Sequence, residues 1–211
     1  MRAADLYRRM NDDIPALEKQ LEEIKQKLAK LRSEAPPVEV PDYTFQTLTG
    51  PVTLSSLFAG KDILFAIHNM GQACRYCTLW ADGFNGFVPH LEDRFALVLL
   101  SKDEPEVQRR FAQSRGWRFR MASHGGGAYI QEQDVVPGDS GNPGIVCYQR
   151  EGSKILRKNA STFGPGDDFC AIWHILALAG LGLDFGDWTP QYSYWKRPER
   201  KDMEDGGQNV Q

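Results

Sequence analysis

The chain has 211 residues, 41% of them hydrophobic and including 11 Phe, 7 Tyr and 5 Trp, which suits one ordinary domain with appendages and excludes a wholly disordered or collagen-like chain. Its 25 Lys and Arg against 28 Asp and Glu leave a formal charge of −3, without the basic excess that neutralises a phosphate backbone, so no nucleic acid partner is expected. No run approaches the ~18 uninterrupted apolar residues of a membrane helix, since the longest candidate, residues 171–183, is broken by His174, Gly180 and Gly182; no membrane partner is expected either.

Residues 1–9 turn charged and polar where a signal peptide needs its apolar stretch, which points to a cytoplasmic protein. From there the apolar residues Leu17, Leu21, Ile24, Leu28 and Leu31 alternate steps of four and three, a heptad seam on a helix. The seam continues in phase to Ile14 and Met10, but Pro15 lacks an amide hydrogen and Asp12 and Asp13 are N-capping residues, so the spacing predicts a helix over residues 14–33. So short a seam leaves two readings open, packing on the chain's own domain or pairing with a second copy as a homodimer. Pro36, Pro37 and Pro41 stop the helix and predict a linker, so residues 1–40 form a helical arm with its Pro-rich exit.

The domain proper is expected over residues 41–195. Residues 43–48, a Gly50-Pro51 turn and residues 52–57 predict two short strands, or a strand and a helical turn. The nearly continuous apolar run 62–69 predicts a strand buried on both faces. Residues 77–92 carry a helical pattern, interrupted near Gly83 and Gly86 and kinked by Pro89. A buried strand over 95–100, a polar helix over 104–115 and a shorter strand over 117–122 follow, and this alternation predicts parallel strands, helices on both faces and right-handed crossovers. The Gly-rich stretch 123–144 reads as a long loop, and residues 145–149 and 154–159 flank Arg150, Glu151 and Gly152 as a hairpin. A last helix is expected over 168–181, capped by Asp167 or Asp168, then an aromatic stretch 188–195 on the core surface and a disordered charged tail, residues 196–211.

Four cysteines are too few for a disulfide scaffold, but Cys74 and Cys77 are spaced C-x-x-C between the apolar strand and the following helix. The amide hydrogens and dipole of a helix N-terminus stabilise a thiolate there, so Cys74 is the candidate nucleophile and Cys77, one turn further in, the resolving thiol. Arg75 and Tyr76 stand between them, and Arg75 adds a little positive potential. His68, at the end of the strand leading to Cys74, either modulates the thiolate or hydrogen-bonds the loop. A metal site would have to draw on Cys147, Cys170, His68 or His174 without a second ligand-spaced pair. Cys147 in an apolar strand reads as a small hydrophobe, and Cys170 with His174 as core or cap residues, or else a minor metal or redox pair.

Residues 43–77, read as strand, Gly turn, Leu54-Ser55-Ser56-Leu57-Phe58, Gly60-Lys61, buried strand and C-x-x-C, resemble the thioredoxin-like superfamily. From the N-terminal helix to Trp195 the chain is closer still to an uncharacterised bacterial thioredoxin-like family described as predicted dithiol-disulfide isomerases. The resemblance rests on Pro41-Asp42-Tyr43-Thr44-Phe45, His68-Asn69-Met70, Pro89-His90-Leu91 and Gly116-Trp117-Arg118-Phe119. It implies a thioredoxin-like α/β fold, a central mixed sheet flanked by helices. It also implies a cis-proline beside the C-x-x-C, at Pro143 in Asn142-Pro143-Gly144-Ile145-Val146, with Pro143, Arg75, Tyr76 and His68 supporting substrate binding. The Pro-x-x-x-Thr-x-x-Cys motif of peroxiredoxins is missing before Cys74, which argues against that group. The expected function is thiol-disulfide exchange through Cys74 and Cys77 on a disulfide-containing protein or small molecule, with no cofactor. The alternative is a non-catalytic interaction module assembled through the N-terminal helix.

Overall fold

The computed structural model describes residues 13–181, and the chain divides into two units, Met1–Pro37 and Val38–Gln211. In the first, α1 (Asp13–Glu34) extends one residue past each end of the predicted span. Its solvent face carries i,i+4 pairs, Gln26 Nε2 donating to Glu22 Oε1 at 2.9 Å and Lys30 meeting Glu34 at 3.8 Å. The seam residues Leu17, Leu21, Ile24, Leu28 and Leu31 are exposed. Met10 and Asp12, the aromatic stretch 188–195 and the tail lie outside the described residues.

The second unit opens with β1 (Val38–Val40), β2 (Thr44–Thr47), β3 (Gly50–Thr53) and the single turn α2 (Leu54–Leu57). Then come β4 (Ile63–His68), α3 (Arg75–Glu92), β5 (Ala96–Ser101), α4 (Pro105–Arg115) and β6 (Arg120–Ser123). It closes with α5 (Ala128–Glu132), β7 (Gly144–Glu151), β8 (Lys154–Thr162) and α6 (Ile172–Leu178). The strands form one eight-stranded sheet in the order β1-β8-β7-β4-β5-β6-β2-β3. Strands β4, β5 and β6 run parallel, with Ala66 beside Val98 and Leu100 beside Ala122, while the β7/β8 hairpin adds antiparallel to β4. The result is the expected central mixed sheet.

Both faces of that sheet are buried, which explains the continuous apolar run. Period-two alternation sends Leu64, Ala66, Val98 and Leu100 into one cluster with Phe45, Phe58, Tyr129 and Tyr148. Ile67, Leu97 and Leu99 go to the other face, against Trp80, Phe84, Phe163 and Trp173. Helix α3 supplies Trp80, Ala81, Phe84 and Val88 to this second cluster, so the direction of α3, and with it the Cys74 loop at its start, is fixed by the core.

Four local expectations are corrected. Val38–Val40, expected as linker, pair antiparallel with β8 as an edge strand. The Gly-rich loop contains the short helix α5. Helix α3 runs unbroken through Gly83, Gly86 and Pro89: the Asn85 carbonyl that Pro89 cannot serve receives Arg118 Nη2 at 3.4 Å instead, and the buried face offsets the low propensity. The last helix begins at Ile172 because Asp167 caps a preceding turn, its Oδ1 accepting the N–H groups of Phe169 and Cys170 at 2.9 and 3.1 Å. Among the described residues no helix is long and apolar enough to cross a membrane.

Candidate functional site

Strand β4 ends at His68 and α3 begins at Arg75, and the six residues between them form the C-x-x-C approach. Cys74 is the N-cap residue of α3, with extended backbone (φ −90°, ψ 107°), and its Sγ accepts the N–H of Cys77 at 3.2 Å. A sulfur therefore stands where Ser or Asp caps most helices, and a negative charge on it meets the unpaired amides of the first turn. The Cys77 thiol is buried, accepts the N–H of Met70 at 3.5 Å, and faces Cys74. The hydrogen bond from Cys77 holds the Cys74 thiol down at about 7; the N–H groups of Cys77 and Tyr76 add to it against the opposing effect of burial. Cys77 is pushed far up, first by donating to Cys74 and then by burial. One thiolate and one thiol is the state this geometry favours near neutral pH.

The loop is fastened from two sides. Asn69 is buried, accepts the N–H of Gly71 on Oδ1 at 2.8 Å and donates Nδ2 to the Cys77 carbonyl at 3.3 Å. Asp103, just beyond β5, accepts the N–H of Gln72 at 2.7 Å, and burial raises its carboxyl above the usual carboxylate range. Gly71 has φ +101°, and a Cβ there would lie 2.6 Å from Asp103 Oδ1. Gly71→Ala is therefore expected to cost roughly 1–3 kcal/mol of stability and to displace the loop. Urea unfolding and the rate of Cys74 alkylation measure the two effects, and a variant matching the parent in both would sever the link between Asp103 and the loop.

Of the residues singled out by sequence, Cys74, Arg75 and Tyr76 line one cavity of about 540 Å³ together with Met70, Ala73 and Lys102. Tyr76 stacks on Trp173 at 6.2 Å between ring centroids, and Trp80 lies 6.1 Å away. The lowering of Cys74 comes from the Cys77 thiol and the backbone amides of Cys77 and Tyr76. His68 is 2% exposed and hydrogen-bonds Tyr129 Oη through Nε2 at 2.8 Å, so it is part of the buried structure beneath the loop and does not reach the thiolate through that nitrogen.

Pro143 stands where the resemblance puts it, immediately before β7 and next to the His68 end of β4, but its peptide bond is trans and it does not line the Cys74 cavity. The antiparallel ladder begins early here: the Pro143 carbonyl accepts Phe163 N–H at 2.9 Å and Thr162 Oγ1 at 3.2 Å, and an extended trans residue continues into β7. Met70, Tyr76 and Lys102 are among the walls of the Cys74 cavity, and Pro143 is not.

Sequence reasoning missed Asp103, Lys102 and Tyr129. The first two directly follow the carboxyl end of β5, where open α/β sheets gather ligands, and that rule could have found them. Among the described residues, no cluster of three or more His, Cys, Asp and Glu side chains is arranged to hold a metal. Cys170 is buried in the aromatic cluster, whereas His174 is exposed 3.5 Å from Asp168, so those two do not form a site. Cys147 is half-buried on β7, where burial raises its thiol.

A family model described as "Bacterial protein of unknown function (DUF899)" matches residues 2–200. Among solved structures, a cysteine-to-serine mutant of Xanthomonas campestris peroxiredoxin Q is similar at 18% identity and a TM-score of 0.50, over 65% of this chain and 92% of that one. Another structure of Xanthomonas campestris peroxiredoxin Q matches at 17% identity and a TM-score of 0.50, over 69% of this chain and 91% of that one. Such likeness shows the fold, which is thioredoxin-like. No curated protein matches the chain.

Proposed function

The chain belongs to the DUF899 family of bacterial proteins, and we propose that it is a thiol-disulfide oxidoreductase of the dithiol-disulfide isomerase kind, acting through Cys74 and Cys77. The observation that carries this reading is the capping of α3 by the Cys74 sulfur in an open cavity, with the Cys77 thiol donating to it from behind. In the reductive direction the Cys74 thiolate attacks one sulfur of a substrate disulfide, forming a mixed disulfide and expelling the other sulfur as a thiolate. The Cys77 proton passes to that leaving thiolate. The Cys77 thiolate then attacks the Cys74 sulfur, releases the second half of the substrate, and leaves a Cys74–Cys77 disulfide, so that two electrons have moved from protein to substrate. An external dithiol restores the pair by the same exchange in reverse. Both electrons are carried by sulfur, so the cycle draws on no bound cofactor, and a cytoplasmic location would keep the pair reduced.

Equilibrating the protein in dithiothreitol redox buffers and counting free thiols by mass spectrometry tests the reading. Cys74 and Cys77 should convert together, reversibly, between dithiol and disulfide. A pair that stays reduced throughout would favour the interaction-module alternative.

The same reading includes a homodimer through α1, supported by the exposure of all five seam residues from Leu17 to Leu31. In the full-length protein, Leu21→Lys with Leu28→Lys should convert a dimer to a monomer in sedimentation. A parent that already sediments as a monomer would end the dimer reading.

A further inference from the structure

Once Cys74 has formed the mixed disulfide, the second half of the exchange depends on a thiolate at Cys77, a buried sulfur. In the dithiol state Cys77 is held up first by its hydrogen bond to Cys74, then by burial, then by the Cys74 charge, while the N–H of Met70 and its own backbone draw it down. With Cys74 bonded to a substrate sulfur, that charge is gone and Cys74 no longer competes for the Cys77 proton. Burial still opposes the thiolate, and the Met70 N–H, 3.5 Å from Cys77 Sγ, still favours it.

The Met70 amide is aimed by the residue before it. Asn69 N–H donates to the Leu100 carbonyl at 2.9 Å, which ties the end of β4 to β5. The buried Asn69 side chain makes two further bonds: Oδ1 accepts the Gly71 N–H at 2.8 Å, and Nδ2 donates to the Cys77 carbonyl at 3.3 Å. A backbone N–H only donates and a carbonyl only accepts, so the two ends of the amide stand this way round and no other. The peptide that carries the Met70 N–H thus lies between two anchors of one residue. The same side chain reaches the residue whose sulfur receives that N–H. Asp in this place would lack the donor, and a Ser hydroxyl would have no second polar atom to reach Cys77.

We propose that Asn69 is a positioning residue for the resolving step: by tying residues 69–71 to residue 77 it aims the Met70 N–H at the Cys77 sulfur, so the thiolate that attacks Cys74 meets a donor already in place. The proposal rests on the reading of Cys74 and Cys77 as a redox pair. In that step the Cys77 thiolate forms the Cys74–Cys77 bond, the bond from Cys74 to the substrate sulfur breaks, and its electron pair leaves on the substrate thiolate.

Stopped flow with one equivalent of dithiobis(nitrobenzoate) separates the two steps in the full-length protein. Formation of the mixed disulfide releases one coloured thiolate, and the attack by Cys77 releases a second. Burial raises Cys147 and Cys170, and the Cys74→Ser protein records their share as background. Asn69→Ser keeps an oxygen for the Gly71 N–H and loses the bond to Cys77, whereas Asn69→Ala loses both. In both variants the first phase should stay within about threefold of the parent, and the second should slow at least about tenfold. The pH at which the second phase reaches half its maximal rate should also rise by about half a unit to one unit, whereas a loop that was merely loosened would slow the attack without moving that midpoint. The charged and titratable groups of the elements that meet at the pair are Cys74 and Arg75 at the start of α3, His68 on β4, and Lys102 and Asp103 after β5, and they are the same in the parent and both Asn69 variants.

A second measurement leaves residue 69 unchanged. In the parent with Cys74 carbamidomethylated, the Met70 ¹⁵N resonance, observed by carbon detection through the Asn69 carbonyl, should move downfield with the same pH midpoint as the Cys77 ¹³Cβ. A second phase slowed no more than the first, an unmoved midpoint, or a Met70 resonance that does not follow Cys77 overturns the role of Asn69 alone. A parent that releases no second equivalent above background overturns the redox reading, and the role of Asn69 with it.

Discussion

Reduced protein carrying Cys77→Ser, mixed with a disulfide, is expected to stop as a covalent adduct on Cys74, whereas Cys74→Ser should form none. In Cys77→Ser the introduced hydroxyl can still donate to the Cys74 sulfur, and the backbone N–H of residue 77 still caps it, so the thiolate survives at neutral pH. What is lost is the second attack, and each molecule releases one equivalent of thiol and halts. In Cys74→Ser, burial still holds the Cys77 thiol above its ordinary value, so attack should fall at least about a hundredfold. Cys77→Ala separates position from hydrogen bonding. It removes the largest contribution to the lowering of Cys74, so the pH at which alkylation reaches half its maximal rate should move up from about 7. Adducts on both serine variants, or on neither, would contradict these roles, and identical pH profiles for Cys77→Ser and Cys77→Ala would contradict the stated cause.

The cysteines could be placed from sequence because their setting is local: an apolar strand, a short loop and a helix start lie within fifteen residues of one another, and period-two burial on both faces leaves a continuous apolar run. The fastening of the loop was not legible, because it is made at a distance. Asp103 reaches Gln72 across 31 residues, and Tyr129 reaches His68 across 61, from a short helix inside a stretch that reads as loop. The trans bond at Pro143 shows a different failure. A likeness of order along the chain gave Pro143 its place beside β4, but the backbone state there answers to the β7/β8 ladder, whose hydrogen bonds engage the Pro143 carbonyl. The unbroken α3 shows a third, since a proline inside a helix is tolerated where another group, here Arg118, serves the carbonyl it leaves open.

The buried His68 should also make stability depend on pH well above the carboxylate range. Its folded value is lowered from 6.5 to about 3, first by burial and then by His124 and Arg157, so between those limits the unfolded chain binds a proton that the folded protein refuses. Stability is therefore fully present above 6.5, falls as the pH drops through that value, and stops falling only near 3. The slope approaches about 1.4 kcal/mol per pH unit, and the whole window amounts to a few kcal/mol, a large share of the ~5–15 kcal/mol of a typical domain. His68→Gln removes the proton site while keeping an amide that can donate to Tyr129. At pH 7 it should be less stable than the parent by about 1–2 kcal/mol, since its fit to Tyr129 and the pocket is poorer. Between pH 6.5 and 5, where few carboxylates titrate, its stability curve should be flatter than the parent's by close to that slope, so that the two converge; His124, present in both proteins, cancels from the comparison. Urea unfolding at half-unit pH steps measures it, and parallel curves would mean that His68 takes up its proton in the folded state as readily as in the unfolded chain, against the burial that lowers it.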